Sequence, residues 1–172
     1  MQVTLFILLI GLLIAVVIQD FKNKAISWFL IPLLFVGFSI KALLTIEVEE
    51  FISYSLINLL LVSINLLGVT ILISMKEKKM TNILNTHLGL GDVLFFVVLT
   101  VVFSPINFVL FYLLSIATTA IIYGGIMWLN APKEKMLIPL AGAMSIPLIS
   151  LLFIEQFTTY FQLYEELFLI HE

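Results

Sequence analysis

Residues 87–99 read HLGLGDVLFFVVL, so that Gly89 and Gly91 precede Asp92 at the start of a strongly apolar segment. Burying a charged carboxylate at the centre of a bilayer costs at least about 2.5–3.5 kcal/mol of free energy. An aspartate beside hydrocarbon therefore suggests a functional site. The chain contains one other aspartate, Asp20, which closes another long apolar run. These two aspartates are the first candidates for chemistry.

The composition is that of a protein whose solvent is the lipid bilayer. Of the 172 residues, 62% are hydrophobic and only 11% are charged, whereas a soluble domain is about 45–50% apolar and about 25% charged. Because the chain has no cysteine, disulfides, thiolate nucleophiles and zinc sites built on sulfur are excluded. The net charge of −3 and the lack of a basic stripe argue against a nucleic-acid partner.

Apolar runs of the length that a spanning helix needs, about 20 residues, divide the chain into six predicted membrane spans. The first is expected to be retained, because it lacks a basic n-region and a small-residue cleavage site. The prediction is one all-α integral membrane domain over residues 1–172. Its six transmembrane helices form a bundle, with spans at roughly 2–19, 26–46, 51–75, 86–103, 108–129 and 137–154.

The fourth span is shortened at its C-terminal side by Pro105, since proline disfavours helix at the preceding residue. From Asp92 to Phe103 a helix covers roughly 18 Å of a ~30 Å hydrocarbon core. To cross the membrane it must begin near residue 85 or 86, or else the bilayer or the preceding loop must dip to meet it. In both cases we expect Asp92 to lie below the membrane surface.

Polar residues in the third span are spaced along one helical face. Asn58 and Asn65 are seven residues apart, and Ser55 lies one turn before Asn58. Amides in hydrocarbon need partners. We therefore expect this face to point into the bundle.

The placement of the lysines predicts the orientation of the chain. Seven of the eight lysines fall in the first, third and fifth connections, whereas the second connection is acidic and the fourth is uncharged. The odd connections are therefore expected on the cytoplasmic side of a cell (cytoplasmic) membrane, and both termini outside. Asp20 and Asp92 then share the cytoplasmic side.

Two carboxylates on one side of a membrane leave three interpretations open. In the first interpretation the carboxylates are helix-end acids without a chemical role, in an inactive relative or an assembly subunit. In the second they mark the path of an ion-coupled channel or transporter. The third interpretation is an aspartic dyad that shares one proton. The ionised carboxylate then activates water, and the protonated one donates to the scissile carbonyl. Gly89 and Gly91 suit a dyad, because they leave room for an extended peptide and tolerate positive φ.

Three neighbouring side chains are secondary candidates. Lys22 and Lys24 could favour the ionised form of Asp20, although anchoring at the cytoplasmic face explains them equally well. His87 could tune Asp92, or it is a loop histidine without a role. No His-Glu-x-x-His segment occurs, and nothing in the sequence requires a metal or an organic cofactor.

Two segments resemble the motifs of type IV prepilin peptidases. Residues 20–26, DFKNKAI, resemble the family's Asp-x-basic-x-basic-x-Ile segment, and residues 87–93, HLGLGDV, resemble its Gly-x-Gly-Asp-Val segment. The order also matches, with the first aspartate after one helix and the second at the start of the fourth of six. The resemblance covers essentially the whole chain. It implies a GxGD-type intramembrane aspartic endopeptidase with Asp20 and Asp92 as catalytic residues and Gly89 and Gly91 as supporting residues.

The resemblance further implies the substrate, a membrane-inserted pilin-like (type IV prepilin) precursor whose short basic leader is removed at the cytoplasmic face. Its apolar helix would lie against the bundle, and water held between the aspartates would hydrolyse the peptide bond. Residues 76–86 would form a cover over the site. The oligomeric state is left open.

The chain departs from the family pattern at three positions beside the aspartates. Ser27 and Trp28 stand where the family usually has proline and asparagine, and Leu94 stands where it has lysine. Residues 138–142, IPLAG, keep part of a proline- and glycine-rich segment before the last helix. The methyltransferase region of the larger members, with its paired cysteines, is not present, so cleavage without methylation is expected.

Overall fold

The computed structural model describes residues 2–77, 89–130, 138–158 and 161–165, and in these ranges all regular secondary structure is helical. The all-α fold predicted from the sequence is thus confirmed. His87 and most of the expected cover lie outside the described residues. The described helices, in chain order, are α1 (Gln2–Asn23), α2 (Leu30–Leu43), α3 (Val48–Glu77), α4 (Leu90–Leu99), α5 (Pro105–Asn130) and α6 (Leu140–Phe157).

Four of the described helices are long and apolar enough to cross a membrane, in the segments Val3–Asn23, Val48–Met75, Pro105–Ile126 and Leu140–Phe157. The other two, α2 and α4, have 14 and 10 residues. At 1.5 Å per residue they cover roughly 21 and 15 Å of a ~30 Å core. The second and fourth helices are therefore shorter than the predicted spans 26–46 and 86–103.

The late start of α4 has a local cause at Gly89. This residue has extended backbone (φ −70°, ψ 142°), so the helix begins at Leu90 rather than near residue 86 as predicted. At the other end, the amides of residues 100–102 donate to carbonyls three residues back, which is the 3₁₀ pattern typical of a helix end. Pro105 then opens α5 at the first helical position, where its missing N–H costs nothing.

The bundle is centred on α1 and α6, which pack against each other more extensively than any other pair of described helices. α1 also contacts α2, and α6 also contacts α4 and α5. Gly37 allows α1 to approach α2 closely, because a Cβ atom there would lie 2.9 Å from the Leu9 side chain. Fully buried apolar side chains fill the interior, the largest being Phe38, Phe95, Phe96, Phe103 and Phe108.

α3 lies at the edge of the bundle and is held there by the polar face seen in the sequence. The Asn58 amide is fully buried and donates to the carbonyls of Thr100 and Phe103, at 3.0 and 2.9 Å. The Tyr112 hydroxyl donates to Asn65 Oδ1 at 3.1 Å. The expectation that this face meets the rest of the bundle holds at both asparagines.

The bundle is closed at the end opposite Asp20 and Asp92 by residues 161–165. The amide of Ser104 donates to the Leu163 carbonyl at 3.1 Å, and Asn107 Nδ2 donates to the Glu165 carbonyl at 2.7 Å. Lys41 forms an ion pair with Glu155 at 2.8 Å. This segment therefore packs onto the helices, and its Leu163 side chain is fully buried.

Candidate active site

Asp20 lies in the last turn of α1, where the helix ends at Asn23. The Lys24 amide donates to the Asp20 carbonyl at 3.0 Å, and Lys24 adopts positive φ (54°), which turns the chain out of the helix. The Asp20 side chain is buried. A helix end therefore fixes this carboxylate inside the bundle rather than in solvent.

Asp92 lies in the first turn of α4, directly after the extended Gly89. Its amide donates to the Gly89 carbonyl at 3.0 Å, which closes that first turn. Its side chain is also buried, at 9% exposure. The short helix thus places the second carboxylate at its own buried beginning.

The start of α6 brings the two carboxylates together. The Ala141 amide donates to Asp92 Oδ1 at 2.8 Å, and the next amide along the chain, that of Gly142, donates to Asp20 Oδ2 at 2.6 Å. Because consecutive backbone nitrogens are covalently linked, the two bound oxygens are at most about 9 Å apart. The charges of the two carboxyl groups are close enough to interact.

This pair of hydrogen bonds follows from the chemistry of a helix start. The first four amides of a helix have no intrahelical carbonyl to bind and carry partial positive charge. Carboxylates are therefore natural partners for them. Here two consecutive free amides bind two different aspartates, and we refer to Ala141 and Gly142 as the amide clamp.

Gly142 of the amide clamp is a glycine because α1 leaves it no space. A Cβ atom at this position would lie 2.9 Å from Phe21 Cδ2 and 3.1 Å from Asp20 Cβ. The contact of segment 138–142 with the aspartates was not predicted, because in the sequence this segment shows only a partial resemblance to a proline- and glycine-rich motif. Backbone amides carry no residue signature, so the only signal was a glycine in the first turn of an apolar helix.

Gly89 and Gly91 border the site. Neither has positive φ. What they contribute here is the space that a side chain would fill. A Cβ atom at Gly89 would lie 3.1 Å from Asp92 Oδ2, and one at Gly91 would touch Ile26 at 3.4 Å.

A cavity of about 310 Å³ opens beside both carboxylates, at the point where α1 ends and where α2 and α4 begin. Its lining combines the two acids, one lysine and several apolar side chains. The lining residues are Asp20, Lys24, Ala25, Ile26, Trp28, Ile31, Gly89, Leu90, Gly91, Asp92 and Leu94.

The two lysines predicted near Asp20 differ in position. Lys24 lines the cavity, and its charge interacts with the Asp20 carboxylate. Lys22 is exposed in the last turn of α1 and does not line the cavity.

Two of the three positions at which the chain departs from the pattern of type IV prepilin peptidases lie at the site. Trp28 and Leu94 both line the cavity. Ser27 does not line the cavity. Its amide donates to Oε1 of Gln19, the residue before Asp20, at 2.8 Å.

The arrangement offers two nearby carboxylates, each with one oxygen bound by an amide of the clamp, beside a cavity that can admit water or substrate. Such a pair can bind a water molecule and exchange its proton. Among the described residues, no group of three His, Cys, Asp or Glu side chains could hold a metal ion. Comparison with protein-family models, curated proteins and solved structures found no match for this chain.

Proposed function

We propose that this protein is an intramembrane aspartic endopeptidase in which Asp20 and Asp92 form the catalytic pair. The observation that carries the proposal is the binding of both carboxylates by adjacent amides, Ala141 and Gly142, at the edge of one cavity. Helix-end acids without chemistry would be expected to face solvent, whereas these two are buried. The resemblance of residues 20–26 and 87–93 to type IV prepilin peptidases supports the same reaction.

The chemistry follows from two nearby carboxyl groups that share a proton. The ionised group takes a proton from water, which attacks the carbonyl carbon of the scissile peptide bond. The protonated group donates a hydrogen bond to the carbonyl oxygen and later supplies the proton to the leaving amine. The amide clamp holds one oxygen of each carboxylate and so fixes the distance between acid and base.

The substrate in this proposal is a membrane-inserted pilin-like preprotein, and the bond cut lies between its short basic leader and its apolar helix. In this proposal the catalytic end of the bundle lies on the cytoplasmic side of the cell membrane and both termini lie outside, as the lysines of the odd connections lead us to expect. Both predicted catalytic residues then meet the leader on the side where it resides.

The proposal is tested by cleavage of a fluorescently labelled pilin-like precursor in proteoliposomes. Asp20→Asn and Asp92→Asn should each lower the cleavage rate by at least about 100-fold, since each removes one acid–base partner. Both variants should retain the helical content of the wild type. Glu49→Gln, an exposed acid in the first turn of α3, is the matched control and should cleave normally.

A wild-type protein that conducts ions across the proteoliposome membrane and leaves the precursor intact would instead support the ion-pathway interpretation. A wild type that does neither would support an inactive assembly subunit. Normal turnover in either aspartate variant would refute the catalytic pair.

A further inference from the structure

The lining of the cavity beside the aspartates divides by chemistry. Asp20, Asp92 and Lys24 supply its polar side, whereas Trp28, Leu90 and Leu94 belong to its apolar side. We refer to these last three residues as the apolar wall. Hydrolysis needs both water and peptide at one place, and the polar side suits the water.

The apolar wall is open to the surroundings of the bundle. Trp28 is 81% exposed, Leu90 is 65% exposed and Leu94 is 38% exposed. In a chain that spans a membrane, exposed apolar side chains of this size face lipid, and tryptophan favours the membrane–water interface. The cavity therefore adjoins the bilayer at its apolar wall.

The position of the wall follows from two short helices that start at the same end of the bundle. α2 begins at Leu30 and α4 begins at Leu90, and the two helices contact each other. Gly91 and Ile26 both line the cavity between these starts, and a Cβ atom at Gly91 would lie 3.4 Å from the Ile26 side chain. Glycine at position 91 therefore leaves this part of the cavity free of a side chain.

We propose that the substrate reaches the aspartates laterally from the bilayer, between the starts of α2 and α4, and that the apolar wall binds the apolar residues next to its scissile bond. This inference rests on the proposed function and specifies how the substrate is received. The occupant is one apolar transmembrane segment with an extended end.

Two physical costs favour this route. An apolar helix that left the bilayer to approach through water would expose its apolar surface to water. Conversely, an extended peptide in lipid leaves its amides and carbonyls without hydrogen-bond partners. The apolar wall avoids the first cost, and the adjoining polar side, with its carboxylates, reduces the second.

Photo-cross-linking tests where the substrate docks, independently of turnover. The photoreactive residue p-benzoylphenylalanine replaces Trp28 in one protein and Leu56 in another, each combined with Asp92→Asn, and each is reconstituted with a precursor peptide of basic leader and apolar helix. Leu56 is the control, because it is 60% exposed on α3 and does not line the cavity. Position 28 should give at least ten times more adduct than position 56. Equal or smaller yield at position 28 would overturn the proposal.

A reversible bridge tests whether the peptide must pass this gap. Because the chain has no cysteine, Trp28→Cys/Leu90→Cys can be linked selectively by a bifunctional methanethiosulfonate reagent. Leu56→Cys/Leu60→Cys, with both residues exposed on α3, is the control pair. The bridge at 28 and 90 should lower the cleavage rate at least ten-fold, and reduction should restore it, whereas the control pair should cleave at one rate in both states.

The outcomes separate this inference from the proposed function. Cleavage that persists in the bridged 28/90 protein would overturn the lateral route and leave the catalytic pair intact. Adducts in the position-28 variant, together with a wild type that never cleaves the precursor, would retain the docking surface and refute the peptidase.

Discussion

Gly142 is the residue at which the packing of the bundle and the geometry of the carboxylates meet. Its amide binds Asp20, and its missing side chain lets Phe21 and Asp20 approach α6. Any larger residue must move α1 or the start of α6 by several tenths of an ångström. Such a shift changes the distance between the two carboxylates.

Gly142→Ala should therefore lower the cleavage rate by at least ten-fold. Gly124→Ala on α5 is the matched control, since a Cβ atom there meets nothing within 4 Å, and alanine in a helix stabilises by about 0.5–1 kcal/mol over glycine. Cleavage of the precursor and thermal unfolding in detergent are the measurements. Equal activity in the two variants would show that the amide clamp does not position Asp20.

Gly89 and Gly91 should respond differently to the same added methyl group. In Gly89→Ala the new Cβ lies 3.1 Å from Asp92 Oδ2 and presses on the carboxylate, whereas in Gly91→Ala it makes an ordinary contact with Ile26. We expect Gly89→Ala to lower kcat with little change in KM, and Gly91→Ala to affect KM more. The reverse pattern would contradict the steric roles assigned to these glycines.

At the scale of single helices, the attachment of α3 depends on its buried amide. Asn58→Ala removes two hydrogen bonds and leaves the carbonyls of Thr100 and Phe103 without their donor. Its unfolding free energy should fall by about 1–2 kcal/mol. Asn65→Ala, which removes one hydrogen bond at an exposed position, should cost less, and denaturant titration in micelles would compare the two. A larger loss at Asn65 would contradict this account of α3.

The helices differ in how well the sequence predicts them, and the difference has physical causes. Long apolar runs predicted α1, α3, α5 and α6, because hydrocarbon requires every backbone group to bond within its helix. The ends of α2 and α4 were not predictable from hydropathy, because Gly89 and the turn before Leu30 shorten them within apolar sequence. The aspartates were found because they are few, whereas the amide clamp has no side-chain signature.

On the scale of the whole molecule, the end opposite the aspartates is held by a polar cluster. Lys41 pairs with Glu155 at 2.8 Å and lies over the Tyr164 ring at 5.3 Å, and Glu155 also accepts from the Leu163 amide. These contacts join α2, α6 and the segment 161–165. They stabilise the bundle without touching the cavity.

Lys41→Met and Glu155→Gln should each lower the unfolding free energy by about 1.5–3 kcal/mol, the value of a hydrogen bond to a charged group. The double variant should lose less than the sum of the two, because the residues are in contact. Thermal unfolding of all four proteins in detergent measures the coupling. Losses of unfolding free energy that simply add would show that Lys41 and Glu155 are not coupled. Loss of cleavage activity in these variants would contradict the view that this cluster stabilises the bundle without affecting the active site.

The pairing of Asp20 and Asp92 is most directly tested by nuclear magnetic resonance of protein labelled with 13C at the aspartate carboxyl carbon. Only two aspartates occur in the chain, so only two side-chain carboxyl signals are expected. If the carboxyl groups interact as described, both signals will respond at each ionisation step, and replacing one aspartate by asparagine will change the titration of the other. The paired site would be contradicted if the two signals titrate independently and if the signal that remains in each single variant titrates as it does in the wild type.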